Sequence, residues 1–527
     1  MLLSVILLVI SGCGVSSEDR STGGGDTQGE PGAGTVVSEA PLPNLDPVLR
    51  DAASFAKGMT YRSRSGIDDD NTHVTGSVFV PHGGPPEGGF PVVALAPQVV
   101  GTAADCAASL SPDPLGSSAA AVALLKAGYV VFVPDYQGLG KPSDGKTVYH
   151  PYLDSTTAGY VVIDGVRAAK TLVPAATSDS WAALGSLEGG QAAWAANELV
   201  DNYGSGLDLV ATASLSPLAD FEGLADAAMA GTLNPEQKLV YVAYLAAVKS
   251  EHEYDVDLDD YRRGVAQQNW DALLSCRGPD RMALAGQIPP EDLKPASGQA
   301  LASLRGYMQK TTLPQGPTAA PMYVIHGGRD QMIPAAWTER ALGRACQMGD
   351  VIQIANWPDR DHRDIDSLAA VGWLVDRLKS NPSANDCASF LAEHQVPPGG
   401  APGRGARSSA HDAEPSAVLP LPTDTRLSLT TGWLPLTIEL VTMAVLAAAV
   451  GWRSRDWRLR WVLAALMVGF ATAAAVRLFV KYQGWTERAA SWQAVFWTAV
   501  TGFAVAIAIF GWPRSPWWRR AASVVSV

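Results

Sequence analysis

Short apolar runs and amphipathic stretches take turns along the middle of the chain. Val74–Val80, Pro91–Ala96, Tyr129–Pro134, Ala182–Gly185, Leu209–Ser214, Met322–Gly327 and Val351–Asn356 are compact apolar segments that read as strands. Apolar positions at helical spacing fill several of the gaps, as at Ala119–Ala127 and Thr157–Leu172. This alternation predicts an α/β fold with a mostly parallel sheet and helices on both faces, and it gathers reacting groups at the carboxyl ends of the strands. Between Ser214 and Met322 strand character is lost, and Pro235–Val248 and Ala300–Lys310 carry helical patterns, so a helical cap is expected at about 217–310.

Both ends depart from this pattern. Leu2–Ile10 is an apolar run interrupted only by Ser4, too short to span a bilayer and suited to the core of a signal peptide. The Ile-Ser-Gly-Cys that closes it resembles a bacterial lipobox, which implies cleavage and lipidation at Cys13, with residues 1–13 as the leader. Residues 14–44, rich in Gly, Ser, Thr and Glu, read as a flexible tether to a folded domain at 45–393. Residues 394–430 form a linker of Pro, Gly and polar residues. Residues 431–527 then hold three apolar segments near Trp433–Trp452, Trp461–Val480 and Trp492–Trp512, each about the 20 residues a bilayer requires. Ten of the 16 tryptophans lie from Trp433 onward, many at segment ends as in interfacial belts, so transmembrane helices are expected. The basic loop Arg453–Arg460 and the arginines at 514, 519 and 520 place those flanks and the C-terminus in the cytoplasm, with the folded domain outside.

A formal net charge of -13 argues against nucleic acid and against a polybasic grip on anionic lipid, leaving small-molecule or neutral lipid ligands. The sequence offers no metal-ligand cluster and no phosphate-binding loop, so no metal and no cofactor are expected. Protein partners are not legible.

Chemistry concentrates at Gly185-Ser-Leu-Glu-Gly-Gly190. An apolar strand precedes it and the alanine-rich Gln191–Val200 follows, which is the strand, tight turn and helix of a nucleophile elbow. The residues two before and two after the nucleophile must be tiny, and only Leu187 has glycine at both positions, Gly185 and Gly189. Centring on Ser186 would put Leu184 and Glu188 at the crowded positions, so Ser186 is the weaker alternative nucleophile.

Several blocks then point the same way: Tyr129–Pro142 with its Asp-Tyr-Gln-Gly-Leu-Gly core, His150-Pro-Tyr-Leu153, Val162–Ala169, Gly101–Ser109 and Gly189-Gly-Gln-Ala-Ala193. Together they resemble the secretory lipase family of α/β-hydrolases over about residues 45–390. The resemblance implies an extracellular esterase or triacylglycerol lipase, with the cap as a lid over an acyl ester. It also exposes two departures. Where the family has its serine this chain has Leu187, and where it usually has a His-Gly oxyanion loop this chain has Pro97-Gln-Val-Val100. Oxyanion donors would come from Glu188 and from Gln98 and Val99.

The remaining triad members stand in the order acid, then imidazole. Asp330 follows the strand and turn Val324-Ile-His-Gly-Gly-Arg, and His362 follows the strand Val351–Asn356, so Asp330 is expected to orient His362 as the general base. His326 reads as a strand end, and His150 as a ring packed beside Tyr152. Leucine has no lone pair with which to attack a carbonyl, so hydrolysis is expected to be impaired. The alternative to a membrane-anchored, extracytoplasmic lipase or esterase is a catalytically inactive lipid-binding or sensing protein of the cell envelope. Export also makes the cysteines readable. Cys106, Cys276, Cys346 and Cys387 permit three pairings, of which Cys106–Cys276 with Cys346–Cys387 is the expected one, because the second bond would pin the last helix of the domain.

Overall fold

The computed structural model describes residues 32–394, apart from 69, 143–147, 174 and 277–279. The chain divides into two units, Met1–Arg404 and Gly405–Val527, and every described residue lies in the first. The leader with Cys13, most of the linker and the three apolar segments after Trp433 lie outside the described residues. Among the described residues no helix is long and apolar enough to cross a membrane.

Among the described residues nine strands form one sheet: β1 (Val36–Ala40), β2 (Ala53–Arg64), β3 (Asn71–Pro81), β4 (Phe90–Ala96), β5 (Val130–Pro134), β6 (Thr177–Ser186), β7 (Asp208–Leu215), β8 (Met322–Gly327) and β9 (Ile352–Trp357). Their order is β1-β2-β3-β5-β4-β6-β7-β8-β9. The pairings β1–β2, β2–β3 and β3–β5 are antiparallel and the rest are parallel, so the expected mostly parallel sheet carries an antiparallel flank. Two features differ from expectation. The tether drawn to residue 44 stops short, because Val36–Ala40 is already a strand on β2, and β2 itself had no counterpart in the apolar pattern.

Helices α1 (Pro47–Ala52), α2 (Ser118–Lys126), α3 (Ser155–Leu172) and α4 (Glu188–Tyr203) belong to the first half of the domain. Helices α3 and α4 cover one face of the sheet through Val162, Val166, Ala192, Ala193 and Ala196, while α1 and α2 pack on the other through Leu49, Ala121 and Leu124. Burial on both faces explains why β4 and β5 read as continuous apolar runs rather than alternating ones. Asp135, just past β5, is buried and accepts hydrogen bonds from the hydroxyls of Thr75 on β3 and Ser109 in the segment after β4. The Asp-Tyr-Gln-Gly-Leu-Gly block thus ties three segments together at the carboxyl edge of the sheet.

Between β7 and β8 lie the cap helices α5 (Gly223–Ala230), α6 (Pro235–Glu251), α7 (Gly264–Gln268), α8 (Trp270–Leu274), α9 (Arg281–Gln287) and α10 (Gly298–Thr311). Helix α6 starts where it does because Asn234 and Gln237 form a reciprocal capping box and Pro235 occupies the first turn. The cap has its own apolar cluster, including Phe221, Tyr241, Tyr244, Leu245, Leu304 and Met308. The domain closes with α11 (Ala335–Met348), α12 (Ser367–Leu378) and α13 (Cys387–Glu393). Both expected disulfides are present. Cys346–Cys387 joins α11 to α13, and Cys106–Cys276 joins the segment after β4 to the cap beyond α8.

Backbone proximity at the elbow sets a sharp steric test. A Cβ on Gly189 would lie 2.1 Å from the Ala96 carbonyl oxygen, whereas one on Gly372, on the exposed side of α12, would meet nothing within 4 Å. Gly189→Ala is therefore expected to cost about 3 kcal/mol or to abolish folding. Gly372→Ala is expected to stabilise by about 0.5–1 kcal/mol through helix propensity. Thermal melts of the two variants beside the parent check both signs.

Candidate active site

Strand β6 ends at Ser186, α4 begins at Glu188, and the single residue between them is Leu187 at φ 57° and ψ -115°. Nothing larger than glycine fits two positions before or two positions after it. A Cβ on Gly185 would sit 2.0 Å from the Gly189 carbonyl oxygen, and Gly189 itself is pressed against Ala96. A non-glycine residue at such a φ costs on the order of 1–3 kcal/mol and persists only where its surroundings over-determine it. Those surroundings are the Leu187 N–H donating to the Leu215 carbonyl at 3.0 Å and the Leu187 carbonyl accepting from the amides of Gln191 at 3.0 Å and Leu218 at 3.2 Å. The isobutyl group packs against the apolar cluster of the cap, as does Val99. Ser186 stays in strand register opposite Leu215 and makes no hydrogen bond to His362.

Asp330 and His362 are brought together. The Asp330 Oδ1 accepts from the backbone N–H groups of Met332 and Ile333 at 2.9 Å each, which fixes the carboxylate, and lies 3.0 Å from His362 Nδ1. Glycines explain why loops from different strands can meet so closely. A Cβ on Gly327 would be 2.3 Å from the Arg360 carbonyl oxygen, and one on Gly328 would be 2.7 Å from Pro358 Cα. Without side chains there, the Gly328 amide donates to the Trp357 carbonyl and the Arg329 amide to the Arg360 carbonyl, each at 2.9 Å. Those bonds stitch the loop carrying the acid to the loop carrying the imidazole.

A third carboxylate, absent from the sequence reading, completes the surroundings of this imidazole. Glu236, in the first turn of α6, places Oε1 3.7 Å from His362 Nε2 and 3.3 Å from Arg363 Nη1. Burial alone would push the His362 pKa down, but the hydrogen bond and charge of Asp330, reinforced by Glu236 and Asp361, override it and raise the pKa from its ordinary value. The only sequence signal for Glu236 was an acid at a helix N-terminus, a common surface feature.

The oxyanion residues separate into backbone and side chain. Glu188 opens α4, and the amides of Glu188, Gly189 and Gly190 fall in the first turn, where a helix has no internal acceptors. The Glu188 side chain turns away into the interior, its Oε1 3.2 Å from His150 Nε2, with both side chains almost fully buried. His150 is held by the Gln137 carbonyl at 2.9 Å and lies between the rings of Tyr136 and Tyr152. Tyr152 is thus a neighbour as expected, whereas the approach of Glu188 was missed. On the other side of the elbow Gln98 donates its amide to the Leu115 carbonyl at 3.4 Å, and Val99 contributes packing on both the cap and the sheet. His326 lies in β8 as expected, and burial lowers its pKa to about 4. Among the described residues one group has metal-ligand proximity, Asp105 with Cys106 and Cys276, and its sulfurs are committed to a disulfide.

The arrangement retains an oriented imidazole and an elbow with free helix N–H groups, and at the elbow apex it presents a hydrocarbon. The secretory lipase family model matches residues 117–243, which include β5, the elbow and the first half of α6. The fold is similar to that of Candida antarctica lipase A in its closed state, with 18% identity and TM-score 0.53, covering 67% of this chain and 84% of that one. It is also similar to a hydrolase structure from Legionella pneumophila, with 17% identity and TM-score 0.51, covering 69% and 98%. A third similar structure is a mutant of the rice cell wall degrading esterase LipA from Xanthomonas oryzae, with 18% identity, TM-score 0.50 and coverage of 69% and 98%. No curated protein matches the chain. Together these matches show an α/β-hydrolase-like fold, with similarity to the secretory lipase family confined to residues 117–243.

The raised His362 pKa carries a sign. The folded state binds this proton more tightly than the unfolded chain, so the stabilisation is complete below the ordinary value of about 6.5 and fades as pH rises through the higher folded value. Chemical unfolding of the parent and of His362→Asn between about pH 5.5 and 9 is expected to show the parent's advantage shrinking with rising pH. A gap that widens with pH would contradict the assignment.

Proposed function

We propose that this chain is a lipase-fold protein that binds an acyl ester or related lipid beneath its cap and does not cleave it through a serine. The observation that carries this reading is Leu187 in the positive-φ position of the elbow, with the Asp330–His362 pair still formed at 3.0 Å. An isobutyl group can neither attack a carbonyl nor give His362 a proton. Loss of a triad nucleophile lowers turnover by on the order of 10^6 in the subtilisin case, leaving only what oxyanion donors and binding supply. Leu187 and Val99 both pack on the apolar cap cluster, so the surroundings of the apex are hydrocarbon. The names of the similar structures, a lipase and a cell wall degrading esterase, are consistent with an ester or lipid ligand.

The reading extends to the cell envelope. The apolar leader ending at Cys13 and the three apolar segments after Trp433 support a domain held outside a membrane, where an uncleaved lipid would make the protein a binder or sensor. The competing reading, an active lipase or esterase, draws on the retained acid and imidazole and on Ser186, one residue from the apex.

A fluorophosphonate probe separates the two. The parent is expected to remain unlabelled, and Leu187→Ser to gain labelling that His362→Asn removes. Covalent labelling of the parent that disappears in Ser186→Ala would instead establish Ser186 as nucleophile and sink the non-hydrolytic reading.

A further inference from the structure

The unusual feature of this site is what faces the second nitrogen of the imidazole. His362 Nδ1 is engaged by Asp330 on the core, and His362 Nε2 faces the Glu236 carboxylate on the cap at ion-pair distance. With Nδ1 donating its proton to Asp330, a neutral ring would present its Nε2 lone pair to an anion, and a protonated ring would present an N–H. The second arrangement is attractive and the first is repulsive, by the same electrostatics that make two carboxylates favour the cation between them. We propose that Glu236 is a positioning residue for His362, which holds the imidazole as a doubly engaged cation and clasps the first turn of α6 to the loop after β9.

Geometry supports the clasp from both sides. The Glu236 side chain is about one-sixth exposed and that of His362 less than one-tenth, so the pair is shielded from solvent far more than a surface pair. Position 236 is also rigid. Asn234 caps α6 through the Gln237 amide, donates its own side-chain amide to the Gln331 carbonyl at 2.7 Å, and so ties the start of the helix to the residue after Asp330. The groups facing His362 are Asp330 from the loop after β8, Glu236 from α6, and Asp361 and Arg363 from its own segment. Arg363 shares its guanidinium between Glu236 and Asp361, so the cluster holds three carboxylates, one guanidinium and the imidazole. With a neutral imidazole the cluster is two positive charges short, and protonation of His362 supplies one of them. A general base needs Nε2 free to accept a proton, so the clasp has to open before His362 can serve a hydroxyl at position 187.

The opposite end of the helix needs a control. Glu251, at the end of α6, is pushed up to about 8 by burial and by the charge of Asp154, and it titrates in an overlapping range. The readouts must therefore be local to His362 and to residues 236–240.

The test is an NMR titration of the ring carbons of His362 in the full-length protein, assigned with His362→Asn. Glu236→Gln is expected to lower the His362 midpoint by about one pH unit, a tenfold loss of proton affinity, and Glu251→Gln to leave it in place. An unchanged midpoint in Glu236→Gln overturns the proposal. Hydrogen exchange at the first turn of α6, corrected for intrinsic rates, is expected to step up across the parent midpoint and to be uniformly fast in Glu236→Gln. The same step surviving in Glu236→Gln would show that the clasp is not what holds the turn. Neither readout requires a ligand or turnover, so a failure here is separate from a failure of the lipid-binding reading.

Discussion

Backbone-to-backbone approach at four glycines is the constraint from which the site follows. Gly185 and Gly189 let β6 turn into α4 against the end of β4, and Gly327 and Gly328 let the loops after β8 and β9 bond to each other. Any side chain at these points would meet a carbonyl or a main-chain carbon well inside contact distance. The first pair forces one residue, whatever its type, to the apex of the elbow. The second brings a carboxylate and an imidazole from separate strands within hydrogen-bond reach.

Because the constraint is steric, it is indifferent to chemistry at the apex. Leu187 adopts the strained conformation and spends its side chain on packing against the cap, where a hydroxyl would have to stay open to substrate. An apolar apex and an imidazole flanked by carboxylates are mutually consistent. Once no serine offers Nε2 a proton to accept, a carboxylate from the cap can occupy that side of the ring. The cap is held to the core at several independent places: Cys106–Cys276 beside the segment after β4, Arg340 and Arg344 on α11 against the buried Asp220 ahead of α5, and Glu236 at the imidazole. A cap so fastened suits retention of a bound hydrocarbon better than rapid exchange of substrate and product.

The legible part of the fold was the buried part. Strands β4 and β5 are apolar throughout, and β8 is so up to His326, because helices cover both their faces, and such runs stand out against polar turns. Strand β2 escaped notice because it lies in the antiparallel flank and carries Lys57, Gly58 and Arg62, which read as loop. Strand β1 was hidden for a related reason, with half-buried Ser38 and exposed Glu39 in a Gly- and Ser-rich neighbourhood. The apex, the acid and the imidazole could be found because each depends on a local motif of glycines and strand ends.

What the amino-acid order determined by itself was therefore everything written in short-range terms: the succession of strands and helices, the position of the elbow, and the leucine at its apex. Tertiary structure alone decided which carboxylate faces His362 Nε2, that Glu188 turns inward to His150, and that Gln98 turns to Leu115. Those contacts join residues distant in sequence, and no periodicity encodes them. They arise only when the sheet edge and the cap meet, where charge and packing across the interface select the partners.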